Sequence, residues 1–94
     1  MKLFIDDLRD PVDDSWTVAR TVEQAIDFIE RNRDDLECIS FDHDLGIDQH
    51  GNEMTTRRIV IYIIENDLKV GHAVVHSANP VGREWLEGMI ERYF

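Results

Sequence analysis

Three short apolar runs, each ending in chemistry-bearing polar residues, constrain this chain more than any other feature. Lys2-Leu3-Phe4-Ile5 runs into Asp6-Asp7, Ile39-Ser40-Phe41 into Asp42-His43-Asp44, and Ala73-Val74-Val75 into His76-Ser77-Ala78-Asn79-Pro80. If these runs are parallel strands of one sheet, all three clusters lie along its carboxyl edge, where open α/β sheets bind ligands. Carboxylates, imidazole, hydroxyl and amide then converge on one small volume, a group suited to a divalent metal and a phosphate.

The rest of the chain supplies the connections. Leu3 to Asp6 reads as a short buried strand, Leu8 to Ser15 as a polar loop, and Trp16 to Ala19 as a second strand of aromatic and β-branched types. Thr21 and Gln24 form a capping box for a helix carrying Val22, Ala25, Ile26 and Ile29 at helical spacing and ending near Asn32 or Arg33. Glu37 to Asp42 is the third strand, and Leu45 to Asn52, with Gly46 and Gly51, reads as a loop. Ile59 to Ile64 favours a strand by propensity. Its continuation back through Met54, and the length of Glu53 to Asn66, predict a deeply buried crossover helix instead. His72 to Ser77 is the fourth strand. Asn79 caps a last helix with Pro80 at its first position and a stripe of Trp85, Leu86, Met89, Ile90 and Tyr93. Right-handed crossovers predict a parallel sheet ordered 2-1-3-4, with Asp6, Asp7 and Asp42 at the switch point between the first and third strands.

Ninety-four residues imply one domain, spanning residues 1–94. The single cysteine, Cys38, has no partner within the chain and reads as a packed thiol of a reducing compartment. Acids interrupt the first apolar stretch almost at once, which argues against a signal peptide, and no apolar segment is long enough for a membrane span. The expected location is the cytoplasm. With 20 acidic and 10 basic residues and a net charge of -10, the chain is poorly suited to extended DNA or RNA, because such binding rests on phosphate neutralisation by Lys and Arg. A small nucleotide held in a local site remains compatible with that charge.

Paired acids after the first strand, an Asp after the third and a hydroxyl residue after the fourth resemble the response-regulator receiver domain. Asp6-Asp7-Leu8-Arg9-Asp10-Pro11, Ser40-Phe41-Asp42-His43-Asp44-Leu45-Gly46 and His76-Ser77-Ala78-Asn79-Pro80-Val81-Gly82-Arg83 together are similar to the cyclic-phosphate-processing receiver-like family. The resemblance implies a truncated receiver-like (flavodoxin-like) three-layer sandwich and an activity on cyclic phosphates such as those on cleaved RNA ends. It also implies a role for Asp42 as a phosphoryl-accepting nucleophile. Two departures from an ordinary receiver stand out. A loop replaces the first helix, and no fifth strand with its terminal lysine is present, which leaves the fourth strand at an edge open to a second copy.

The residue types then suggest roles. Asp6, Asp7, Asp42 and Asp44 offer hard oxygen ligands for Mg²⁺ or Mn²⁺, with a capped turn as the alternative for the Asp6-Asp7 pair and a loop cap for Asp44. His76 is a general acid/base by its position at the strand end, with a hydrogen-bonded strand histidine at the core boundary as the alternative. His43 is a metal ligand, an acid/base or a surface residue. Ser77, Asn79 and Arg83 can hold phosphate oxygens, as can Arg9; a helix cap is the alternative for Asn79 and a pair with Glu87 for Arg83. The expected function is a metal-assisted phosphodiesterase acting on a 2′,3′-cyclic nucleotide or RNA-end phosphate. The alternatives are a module that only binds such a ligand, or a degenerate phospho-accepting receiver.

Overall fold

A computed structural model describes residues 1–94. In chain order the elements are β1 (Lys2–Ile5), β2 (Thr17–Ala19), α1 (Val22–Arg31), β3 (Cys38–Phe41), β4 (Asp44–Ile47), β5 (Glu53–Thr55), α2 (Arg57–Glu65), β6 (His72–Val75) and α3 (Pro80–Tyr93). The main sheet is parallel and ordered β2-β1-β3-β6, the expected 2-1-3-4 arrangement with β6 as its fourth strand. Phe4, Ser40 and Val74 share one row of this sheet, and Ile5, Phe41 and Val75 the next.

Thr21 caps α1 by accepting a bond from the Gln24 N–H, while the Gln24 side chain accepts from the Arg20 N–H at 2.8 Å, so the box closes one residue early. The β-branched run Ile59 to Ile64 is helical, because Ile59, Val60 and Ile63 fall on one helical face and bury completely against the sheet. Asn79 caps α3 by accepting from the Val81 and Gly82 N–H groups, with Pro80 at the first helical position. No helix is long and apolar enough to cross a membrane.

The structure differs from the sequence expectations at two places. The segment Leu45 to Asn52 is not wholly a loop, and the helix does not begin at Glu53. Asp44–Ile47 pairs antiparallel with Glu53–Thr55 as a hairpin, and α2 starts only at Arg57. The hairpin turn is closed by Asp48, whose carboxylate accepts the His50 and Asn52 N–H groups, with Gly51 at φ 81°. The sequence hid these strands because they are short and one contains glycine, while Asp48 supplies turn chemistry three residues before the second glycine.

The second difference concerns layers. The steps from β2 to β3 and from β3 to β6 run the same way across the sheet, so right-handed crossovers place α1 and α2 on one face. Leu86 of α3 joins them in a single core of 14 buried residues with Leu3, Ile5, Ala19, Ile39 and Phe41. The receiver-like order is therefore built in two layers, not three. The opposite sheet face, carrying Phe4, Val18, Cys38 and Val74, is only half-buried. Trp16 lies edge-on to Phe4 there at 6.1 Å, and Cys38, expected in the packed core, is half-buried on this face. The first helix that would cover it is replaced by the loop from Leu8 to Ser15.

Candidate functional site

The parallel ladder runs one residue past each strand. The Asp42 N–H donates to Ile5 O and the His76 N–H to Phe41 O, both at 2.9 Å, and the Asp6 N–H donates to Ala19 O at 3.1 Å. Asp6, Asp42 and His76 thus form the next row of the sheet, with side chains on the helix-free face above Phe4, Ser40 and Val74. One carboxylate oxygen each of Asp6 and Asp42 and one ring nitrogen of His76 all lie within 4.8 Å of one another.

Asp6 is the centre of this group and only 1% exposed. Its Oδ1 accepts the N–H groups of Leu8 and Arg9, each at 2.9 Å. Its Oδ2 accepts from Arg9 Nε at 2.8 Å and faces His76 Nε2 at 3.0 Å. Burial alone would raise the Asp6 pKa, but the bonds from Arg9, Leu8 and His76 and the charge of Arg9 outweigh it and hold the carboxyl below its ordinary 3.8. An ionised Asp6 only accepts, so Nε2 of the neutral imidazole carries the proton and Nδ1 accepts from the Ser40 hydroxyl at 2.7 Å. The imidazole lies flat on Phe4, with ring centroids 4.4 Å apart. Burial lowers the His76 pKa below 6.5, and the bond and charge of Asp6 offset it only in part.

Asp42 is buried and oriented from three directions. Its Oδ1 accepts the His43 N–H at 2.8 Å, its carbonyl accepts the Thr56 hydroxyl at 2.6 Å, and its Oδ2 faces the Arg9 guanidinium at 3.4 Å. Arg9 therefore spans both carboxylates from the loop that replaces the receiver's first helix. Arg20 braces that loop, donating to the carbonyls of Asp6 and Arg9 and pairing with Asp10.

The other expected site residues form a second group on the helix side of the sheet edge. Side chains alternate between faces along a strand, so Asp7, His43 and Ser77 project away from the first group. Asp7 Oδ2 lies against Gly46, where an added Cβ would approach it to 3.1 Å. His43 is buried. Arg57 Nε can only donate, so Nε2 of His43 accepts it at 2.9 Å and Nδ1 donates to Asp44 at 2.8 Å. That bond, with support from Asn79 Nδ2 at 3.1 Å, holds the Asp44 pKa low. Ser77 Oγ accepts the Asn79 N–H at 3.1 Å, and Arg83 Nε pairs with Glu87 at 2.8 Å while its guanidinium reaches Ser77 O at 3.5 Å. Gly82 packs directly on the His43 ring. An added Cβ there would sit 2.2 Å from the His43 ring, so glycine is what lets α3 close over the imidazole.

Ser40, Thr56, Arg20 and Arg57 were not picked out from the sequence. Ser40 carried a usable signal: it is polar within an apolar run and two residues before Asp42, hence on the same face. Thr56, Arg20 and Arg57 act on residues far away in sequence and carried none.

The donor types fit a divalent cation: two hard carboxylates with an imidazole beside them. No buried side-chain nitrogen or oxygen lacks a partner, so such an ion would exchange for existing contacts and would not satisfy an orphan.

Comparison with curated proteins and with solved structures gave no match. A family model does match, over residues 1–92, and covers all three strand-end clusters and both groups of polar residues. The chain belongs to the family described as the cyclic-phosphate processing receiver domain.

Proposed function

We propose that the domain is a metal-assisted phosphoesterase that opens a cyclic phosphate ester, such as a 2′,3′-cyclic nucleotide or the cyclic phosphate of an RNA end. The observation that carries this reading is the convergence of Asp6, Asp42 and His76 within 4.8 Å, under the guanidinium of Arg9, in a chain of this family. Asp6 and Asp42, with Asp7 and Asp44 of the neighbouring group as further candidate ligands, would hold the metal, Mg²⁺ or Mn²⁺. When bound it polarises the phosphate oxygens and lowers the pKa of a water.

The side chains do the rest. Arg9 binds the phosphate and offsets the charge that grows on it. The attacking water loses its proton toward the Asp42 carboxylate, its oxygen bonds to phosphorus, and the bond from phosphorus to the ribose oxygen breaks. His76, as the imidazolium held by Asp6, gives its Nε2 proton to that departing oxygen. Ser40 serves both forms of the ring, because a hydroxyl donates to a bare Nδ1 and accepts from a protonated one. His43 positions Asp42 through its backbone N–H and packs under α3. Ser77, Asn79 and Arg83 shape the turn that carries His76.

The test is a panel of 2′,3′-cyclic nucleotides and RNA ends with Mg²⁺ or Mn²⁺. Turnover is expected, and His76→Ala should reduce it by about 10²- to 10⁴-fold with circular dichroism and metal binding unchanged. An acid role requires the imidazolium, so the rate should fall as pH rises through the depressed His76 pKa. Near wild-type turnover in His76→Ala would remove the proton-carrier assignment.

A second reading, capture without turnover, draws on one observation: both His76 nitrogens and both Asp6 oxygens are already engaged. Retention of the cyclic nucleotide with no product would favour it. Phosphorelay signalling ranks lower, since the only lysines, Lys2 and Lys69, stand before or at the amino ends of β1 and β6. A homodimer joined along the edge strand β6 is part of the proposal, and a monomer mass by light scattering would remove it.

A further inference from the structure

We propose that Arg9 and a divalent cation are alternative occupants of one carboxylate pair, so that metal loading turns Arg9 from a counter-ion into a phosphate ligand. The inference rests on the reading that Asp6 and Asp42 take a metal. On each carboxylate one oxygen is committed to backbone. Asp6 Oδ1 accepts from Leu8 and Arg9, and Asp42 Oδ1 accepts from His43. The oxygens without a backbone bond are the two Oδ2 atoms, and the guanidinium holds both, at 2.8 Å and 3.4 Å, sharing Asp6 Oδ2 with His76 Nε2 at 3.0 Å. A cation bridging Asp6 and Asp42 must take oxygens that Arg9 now occupies.

The surroundings allow such an exchange without unfolding. The Arg9 backbone is fixed at both polar atoms: its N–H donates to Asp6 Oδ1 and its carbonyl accepts from Arg20 at 2.6 Å. Its side chain is 51% exposed, so the guanidinium can swing on its stem while the loop stays docked. Once released it stands beside a bound cation, with a planar fork that matches two phosphate oxygens. Metal and arginine then compete without a phosphate and cooperate with one. An arginine on the loop that replaced a helix thus sets the order of binding, cation before phosphate.

The experiment is a Mn²⁺ titration of the full chain by calorimetry, for wild type, Arg9→Gln and Arg9→Lys, repeated with inorganic phosphate. Arg9→Gln should bind Mn²⁺ about tenfold more tightly than wild type, a typical size for coupling between sites. Arg9→Lys, which keeps the charge, should stay near wild type. Phosphate affinity should rise with Mn²⁺ in wild type and lose that rise in Arg9→Gln. Equal or weaker Mn²⁺ binding in Arg9→Gln, or no Mn²⁺ binding by either protein, would overturn the exchange.

A wild-type measurement covers the case in which Arg9→Gln fails to fold. The Arg9 Nε–H resonance should shift and exchange faster with water at saturating Mg²⁺, and an unmoved, protected resonance would equally end the idea. Turnover of cyclic nucleotides is scored separately. A wild-type enzyme that turns over substrate while Arg9→Gln leaves Mn²⁺ affinity unchanged would sink the exchange and spare the function.

Discussion

A buried carboxylate and a half-buried imidazole, Asp6 and His76, bind each other, yet their environments pull them differently. Asp6 gathers enough donors to overcome its own burial, whereas burial dominates at His76. Both shifts lower the pKa, and both have the same consequence for stability. The unfolded chain takes up a proton on His76 that the folded chain refuses, so this contribution is full above 6.5 and declines as pH falls below that value. Asp6 adds a further loss at lower pH, as its carboxylate protonates below 3.8. Urea midpoints at about pH 7.5 and about pH 5.5 should therefore differ less in His76→Gln than in wild type; an equal difference would place the sensitivity elsewhere. The types of these residues were legible in the sequence, and so was the alternation that sorts them. Asp6, Asp42 and His76 share one parity in their register, and Asp7, His43 and Ser77 the other, so a single rule of alternation separates the open-face group from the residues buried against the helices.

The crossover elements were readable from periodicity, and the exceptions have local causes. The Ile59 to Ile64 run shows spacing overriding β propensity, because only a helix lets Ile59, Val60 and Ile63 share one buried face. The hairpin of β4 and β5 escaped because its strands are 4 and 3 residues long, too short to show alternation. At α3, the helix is seated by the absence of a side chain at Gly82 above His43. Gly82→Ala drives a methyl group into the ring and should cost about 1–3 kcal/mol in chemical denaturation, despite alanine's better helix propensity. The neighbouring Gly88 meets nothing, so Gly88→Ala should be neutral or stabilising. Similar losses at both positions would mean that helix propensity, and not the His43 contact, is at stake.

The sheet order followed from the sequence because crossover handedness leaves few choices, whereas the number of layers did not, because it hinges on what one missing helix leaves bare. Amide exchange should map this asymmetry: β1 and β3, paired on both sides, should protect longest, with β2, β6 and the hairpin opening sooner. Uniform protection across the sheet would contradict it. The same arrangement dictates when the site comes into being. Asp6 and its imidazole partner are 70 positions apart, and the ring arrives on the last strand to join. During synthesis the two acids and their arginine are therefore made well before the imidazole. Under the proposed reaction, a chain cut short ahead of residue 76 would keep the two carboxylates and lack the proton donor, so a nascent or broken copy would not open a cyclic phosphate.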